Sequence, residues 1–418
     1  MRLMSEQAVT LLRAAWVAPM TGDVLPDAGV AFAGGRIVAV GSFSDVHRAW
    51  PGAVVQDIGR VVLLPGLVNA HTHLELSHCS AGATPTTFVD WVLSLPSRIG
   101  PARDFAGAAC AGAMQSLRFG VTCVGDISQH AHVTRPVLRD GPLRVVSFGE
   151  ALGIGGGRGK FDTLLERATH RSAESDFLRI GISPHAPYSV DANNYRRVVA
   201  LSRKYGFPLC THLAENTFER EFLTSQTGPF REVLEALGSW EDGIPTVAGS
   251  AVGFARQIGL LDLPSLLAHV NDCDDADLND LAAGRASVVW CPRTHAYFGH
   301  RPHRWRDMLA RGVNVCVGTD SLASSPDLNP VEDLRLIHRA HPDVSPHMLW
   351  SMVTTRAARA LGLHQELGTL SVAHHADLVA FPVDTDDPLT ELLERPVLPV
   401  ATWVGGKQVC GQEPNSGG

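Results

Sequence analysis

The chain has 418 residues, 45% of them hydrophobic and 19% charged, with a formal net charge of −8 at pH 7. That acidic balance excludes nucleic acid and anionic membrane as principal partners. No run of about 18 uncharged apolar residues occurs, so no membrane span is expected. The length suits a barrel of about 250–300 residues with an appended module. The opening stretch, MRLMSEQAVTLLRAAWVAP, is interrupted by Arg13 and lacks a long apolar region before a small-residue cleavage site, so no signal peptide is expected.

Residues 9–17 (VTLLRAAWV) and 29–41 (GVAFAGGRIVAVG) read as short strands, the latter with a Gly34-Gly35 hairpin signal. Residues 375–383 (HADLVAFPV) and 399–411 (PVATWVGGKQVCG) resemble them and carry another Gly-Gly turn. The flanks 1–62 and 370–418 are therefore expected to pair into one small β-sandwich, leaving residues 63–369 as the catalytic domain.

Between the flanks, apolar runs of strand length recur at 61–71, 121–128, 143–150, 178–185, 207–215, 265–270, 287–293 and 313–320, most followed by a helical pattern. Strands of a parallel sheet are buried on both faces and read as continuous apolar runs. Eight of them alternating with helices predict an α/β fold, a distorted TIM (β/α)₈ barrel. Each run ends in polar or ionisable residues, and that end is the catalytic face of such a barrel. The eight cysteines form no C-x-x-C pair, and Cys210, Cys291 and Cys316 lie inside apolar runs. They read as buried reduced thiols of a cytoplasmic protein.

His71 and His73 are one residue apart, so on an extended strand both imidazoles face the same side. Alone, that pair reads more readily as part of a solvated loop than as a metal site. A barrel would bring to the same mouth His185, His212, Glu215, His269 and Asp320. His71, His73, His212 and Asp320 suit a mononuclear site for one divalent ion, Zn²⁺ or Fe²⁺, with a position open for water. Such an ion lowers the pKa of its water to about 7. Glu215 is placed to protonate a ring or leaving nitrogen, and His269 and Asp320 to accept the proton of the water.

The stretches PGLVNAHTH (65–73), SPHAPYSV (183–190), THLAE (211–215), His269 and GTDSLA (318–323) cover most of the chain in order. Together they resemble the amidohydrolase superfamily, in its branch of mononuclear deaminases of cytosine, guanine and adenosine type and triazine chlorohydrolases. The resemblance implies His71, His73, His212 and Asp320 as metal ligands, with Glu215, His269 and Asp320 as catalytic acid–base residues and His185 as a substrate contact. The spelling HTHLELS, followed by Phe88-x-x-Trp91, is most similar to the aminodeoxyfutalosine deaminases, which act on an adenine nucleoside. It implies hydrolytic deamination: hydroxide generated at the metal attacks the carbon bearing an amine, and ammonia leaves. A homodimer is the family expectation.

Other residues read less sharply. Glu75 and Glu150 are candidates for a ribose hydroxyl or for structural hydrogen bonds. Phe88 and Trp91 are candidates for stacking a base or packing a loop, and Arg293 is a further candidate substrate contact. His130, His132, His374 and His375 read as surface residues. After Cys291-Pro292, Thr294-His295 stands where many relatives have Ser-Asn. The run GIGGGRGK (153–160) is no phosphate loop, because Ile154 and Phe161 break G-x-x-x-x-G-K-[ST]. No P-C-x-x-C occurs, which excludes the cytidine-deaminase architecture. The run at 178–185 lacks the lysine that bridges two metals in dinuclear relatives. The alternatives are deamination of another purine or pyrimidine base or nucleoside, chloride displacement from a triazine, or a metal-binding barrel without catalysis.

Overall fold

The computed structural model describes residues 8–82, 87–100 and 104–411. Residues 1–7 of the opening stretch, and the outermost residues of both flanks, lie outside them. Five strands precede the barrel: β1 (Thr10–Val17), β2 (Leu25–Ala33), β3 (Arg36–Ser42), β4 (Val54–Asp57) and β5 (Val61–Pro65). The barrel strands are β6 (Leu67–Thr72), β7 (Val121–Ser128), β8 (Arg144–Ala151), β9 (Leu178–Pro184), β10 (Cys210–Leu213), β11 (Leu266–His269), β12 (Ser287–Trp290) and β13 (Asn314–Val317). Three more follow: β14 (Leu378–Pro382), β15 (Ala401–Val404) and β16 (Lys407–Gly411).

The flanks form one mixed sheet in the order β16-β15-β14-β5-β1-β2-β3, with β4 beside β1. Leu12, Val30, Ile37, Leu63, Leu378 and Trp403, from both flanks, share one core. Its two Gly-Gly turns meet: a Cβ on Gly35 would lie 3.2 Å from the Gly405 carbonyl oxygen.

The apolar run 61–71, a single strand from sequence, is two strands in two sheets. Leu64 pairs with Val379 of the composite sheet, whereas Leu67 pairs with Val121 of the barrel. The break falls at Gly66, where a Cβ would sit 2.2 Å from the Thr122 hydroxyl. Only glycine lets the chain turn from one sheet to the other that close to β7.

β6–β9 and β10–β13 are two all-parallel sheets. They close into the expected barrel at two irregular seams, the bridges Ile182↔Leu209 and Thr72↔Asp320. At the first, the Ile182 N–H donates to the Pro208 carbonyl at 2.9 Å; at the second, the Asp320 N–H donates to the His71 carbonyl at 3.0 Å. Val68, Cys123, Val146, Cys210, Val289 and Cys316 come from both halves and form one buried core, the packed barrel interior. Small thiols suit that crowded space, and all three are free.

Outer helices follow the strands, as Ala131–Arg139 follows β7 and Ala192–Tyr205 follows β9. Over the mouth lie the helices Phe88–Ile99 and Pro229–Ala236 and the 3₁₀ turn Gly155–Lys160. The glycine run belongs to this roof. Gly155 has φ +51° and a Cβ there would lie 2.4 Å from the Ser239 carbonyl oxygen, so its glycines serve close backbone contact. No helix among the described residues is long and apolar enough to cross a membrane.

Candidate active site

The strand ends bring three imidazoles together. His71 is the penultimate residue of β6, His73 follows the strand and His212 lies on β10; a ring nitrogen from each lies within 4.8 Å of the others. His73 Nε2 and His212 Nε2 face each other at 3.3 Å. His212 Nδ1 lies 3.3 Å from the His185 carbonyl oxygen. A carbonyl only accepts, so Nδ1 carries the proton and Nε2 presents a lone pair. His71 is fully buried, yet neither of its ring nitrogens has a hydrogen-bond partner. Burial, reinforced by the neighbouring imidazoles, pushes the pKa of His71 and of His212 well below the ordinary value and keeps both rings neutral. Facing lone pairs in a buried site are the arrangement a divalent cation requires.

Asp320 stands beside them, with Oδ1 3.6 Å from His73 Nε2 and 3.8 Å from His71 Nε2. The same oxygen accepts from the Ser321 N–H at 2.8 Å, while Oδ2 accepts from the Ser324 hydroxyl at 3.0 Å. Glu215 Oε1 lies 3.6 Å from His269 Nε2. Burial, with Asp320 and Glu219 adding to it, raises the Glu215 carboxyl well above its usual range. His269 is pushed down to about 4 by burial. Behind Glu215, the fully buried Glu219 accepts from the Glu215 N–H at 3.1 Å and is raised by burial to about 8.

His73, His212, Glu215, His269 and Asp320 line a cavity of about 300 Å³ that also touches Glu75, Phe88, Trp91, Glu150 and His185, at the lower end of small-molecule sites. His185 Nδ1 lies 2.6 Å from Ser189 Oγ, whose own proton goes to the Ala186 carbonyl. Nδ1 is therefore the donor, and Nε2 is left as an acceptor. Glu150 Oε1 lies 3.7 Å from His212 Nδ1, and burial raises this carboxyl to about 7.

Other residues have prior engagements. Glu75 accepts from the Ser128 hydroxyl and from the Gln129 and His130 N–H groups. Burial raises its carboxyl, but hydrogen bonds from His130 and Ser128 outweigh that and lower it. It holds the loop after β7. Trp91 lines the cavity while its indole N–H donates to the Ala323 carbonyl at 2.8 Å, and Phe88 packs edge-on against Phe298.

Two readings need correction. Arg293 is not part of the cavity wall: its guanidinium pairs with Asp327 at 2.7 Å and Asp333 at 2.9 Å and donates to the carbonyls of Asp327 and Asn329. His130 keeps about a third of its side chain exposed but also lines the cavity, stacked on Phe105 at 3.7 Å between centroids, with Nδ1 3.3 Å from Glu75.

Sequence reasoning missed a histidine group behind His269. His303 Nε2 donates to the His269 carbonyl at 2.8 Å and its ring stacks on Trp290. His295 Nδ1 meets Asn271 Oδ1 at 3.0 Å, and Asn271 Nδ2 donates to the Glu215 carbonyl at 2.9 Å. The only signal was the departure at Thr294-His295. Tyr188, stacked on Phe230 at 3.8 Å in the cavity wall, was visible only as part of SPHAPYSV.

Residues 62–409 match the amidohydrolase family, and residues 28–53 match an imidazolonepropionase-like composite domain of bacteria. The chain belongs to the amidohydrolase family, and it is an enzyme acting on carbon–nitrogen bonds other than peptide bonds. Among its relatives is the 5-methylthioadenosine/S-adenosylhomocysteine deaminase of Moorella thermoacetica, 28% identical over 386 residues, 88% of this chain and 84% of the relative. The aminodeoxyfutalosine deaminase of Deinococcus radiodurans is 28% identical over 361 residues, 82% of this chain and 83% of that one. Aminofutalosine deaminase of Helicobacter pylori, solved with methylthio-coformycin, superposes with a TM-score of 0.85 at 25% identity, covering 96% of this chain and 100% of its own. An atrazine chlorohydrolase of Arthrobacter aurescens TC1, at 20% identity and TM-score 0.81 over 98% of this chain and 97% of its own, shares the fold.

Proposed function

We propose that this enzyme is a mononuclear metal-dependent aminohydrolase that releases ammonia from an adenine-type nucleoside, with aminodeoxyfutalosine as first candidate. The observation that carries this reading is the buried Glu215, 3.6 Å from His269, at the edge of three converging imidazoles. His71, His73, His212 and Asp320 would hold one divalent ion, zinc or iron, and the partnerless nitrogens of His71 fit that assignment. When bound, such an ion supplies the Lewis acidity that makes water a nucleophile near neutral pH.

The chain's own residues do the rest. Asp320 and His269 receive the proton of the attacking water. Glu215, whose desolvated setting favours its neutral form, donates to the ring nitrogen next to the carbon that bears the amine. His185 offers an acceptor to the heterocycle, and Glu150 backs His212. Phe88 and Trp91 supply an apolar wall. We further place the enzyme in the cytoplasm as a homodimer; light scattering giving the mass of a single chain overturns the dimer.

The test is an ammonia-release screen of metal-replete protein across adenine nucleosides, purine and pyrimidine bases and triazines. Aminodeoxyfutalosine or another adenine nucleoside is expected to be turned over, and Glu215→Gln to lower the rate at least about 100-fold. Wild-type turnover in that variant removes Glu215 from the mechanism. Chloride or an alkylamine released from a triazine, with no ammonia from nucleosides, favours the triazine-hydrolase reading.

A further inference from the structure

Glu215 stands just past β10 and His269 ends β11. Both are gripped by their main chain. The Glu215 N–H donates to Glu219, and the Glu215 carbonyl accepts from Asn271 Nδ2 at 2.9 Å. Because Nδ2 faces that carbonyl, Asn271 Oδ1 is the atom that faces His295 Nδ1, 3.0 Å away. An amide oxygen only accepts, so Nδ1 is the donor. On the other strand, the His269 carbonyl accepts from His303 Nε2 at 2.8 Å.

The two outer histidines share one support. Trp290, the last residue of β12, meets the His295 ring at 5.8 Å between centroids, edge to face, and stacks on His303 at 4.9 Å. His295 lies on the short helix Pro292–Tyr297, which Arg293 ties to the buried Asp333. Neither histidine lines the cavity. Their bonds go to a strained stretch of backbone: Ala214, His269 and Val270 have φ of 51°, 74° and 52°, a region uncommon for residues with a side chain.

We propose that His295, acting through Asn271, and His303 are positioning residues, which fix the main chain of Glu215 and of His269 and so keep carboxyl and imidazole 3.6 Å apart. This rests on the acid–base roles given to Glu215 and His269 above. Displacing a reacting group by about 1 Å can cost about 100-fold in rate, so bonds remote from the substrate suffice to set turnover.

The test moves each donor without changing its chemistry. His295→Asn puts an amide nitrogen at the place of Nδ1, and His303→Gln puts one at the place of Nε2. His295→Gln carries the amide one bond too far, and His303→Asn one bond too short. On the substrate that the wild type turns over, the matched variants are expected to keep kcat within about threefold, and the mismatched ones to lose at least about tenfold, with KM changed less than about threefold. Either mismatched variant carries the test if the other fails to fold. In a Glu215→Gln background the loss from His295→Gln is expected to vanish, because the group it positions is gone. Crystal structures of the variants need no substrate: the separation of Glu215 and His269 should hold in the matched variants and change by about 1 Å or more in the mismatched ones.

Equal kcat in matched and mismatched variants, an undiminished loss in the Glu215→Gln background, or an unmoved Glu215–His269 pair overturns the proposal and leaves the deaminase reading standing. A wild type that turns over no adenine nucleoside overturns the deaminase reading instead, and the crystal structures then decide the positioning alone.

Discussion

In the composite sheet, left-handed backbone at the tight turns falls on glycine: Gly34, Gly35, Gly405 and Gly406 have φ of 58°, 76°, 56° and 75°. At the barrel mouth it falls on Ala214, His269, Val270 and Asp320, with φ of 51°, 74°, 52° and 60°. Charges divide in the same way. Below, Asp377 pairs with Arg144 at 2.7 and 3.2 Å and also accepts from the Gly405 N–H at 2.8 Å. Above, Glu215 and His269 sit desolvated, and neither ring nitrogen of His71 has a hydrogen-bond partner. A residue with a side chain costs roughly 1–2 kcal/mol in the left-handed region. The mouth sustains this through bonds such as His303 to the His269 carbonyl and the Val270 N–H to the Leu213 carbonyl. At the mouth this strain falls on or beside the residues proposed to carry the chemistry, whereas the non-glycine cases in the flanks, Met20, Asp27 and Ala373, lie apart from any of them.

The contrast can be broken or sharpened by four measurements. The largest effect is expected at Glu215. Its glutamine variant should lose turnover at least about 100-fold while melting no lower than the wild type, because a desolvated carboxyl has been removed; a loss of several degrees in calorimetry contradicts the contrast. Asp377→Ala should do the opposite. It leaves Arg144, 7% exposed, without its partner, and denaturant titration should show a loss of about 3–5 kcal/mol.

Glu219 gives a smaller, pH-dependent effect. Its carboxyl titrates near 4.5 when free and at about 8 in the fold. Between those values the unfolded chain releases a proton that the folded chain keeps, so stability falls as pH rises. Glu219→Gln removes that slope, and its melting temperature relative to the wild type should rise from pH 5 to pH 8. An equal difference at both pH values counts against the raised pKa. The smallest effects are a matched pair. Gly405→Ala should cost about 1 kcal/mol, whereas Ala214→Gly should stay within about 1 kcal/mol of wild type, as glycine's entropy offsets the relieved strain.

Much of the architecture was legible because parallel barrel strands are buried on both faces and show as unbroken apolar runs. The same property hid the break at Gly66: Val61–Pro65 and Leu67–Thr72 are buried throughout, so no change of pattern marks the passage between sheets. His71, His73 and His212 were readable from strand ends and from resemblance. Arg293 was misread because its partners, Asp327 and Asp333, lie 34 and 40 residues further on, and no local spacing announces them. The place of His130 in the cavity wall was missed for a similar reason, since it depends on stacking against Phe105, 25 residues earlier in the chain. The glycine run at 153–160 told of close approach, but not that Ser239 was what it approached.

The turn at Gly66 makes the segment 61–73 a ruler fixed at one end in the composite sheet. His71 and His73 are indexed from that anchor by a handful of residues, with β7 pressed too close for the chain to slide. Inserting one residue between Gly66 and His71 would send both imidazoles to the opposite face of β6. Inserting two would restore the face but displace them by roughly 7 Å along the strand. The flanking sheet therefore sets the address of the proposed metal ligands, and its spacing to the barrel is as much a part of the site as the histidines themselves.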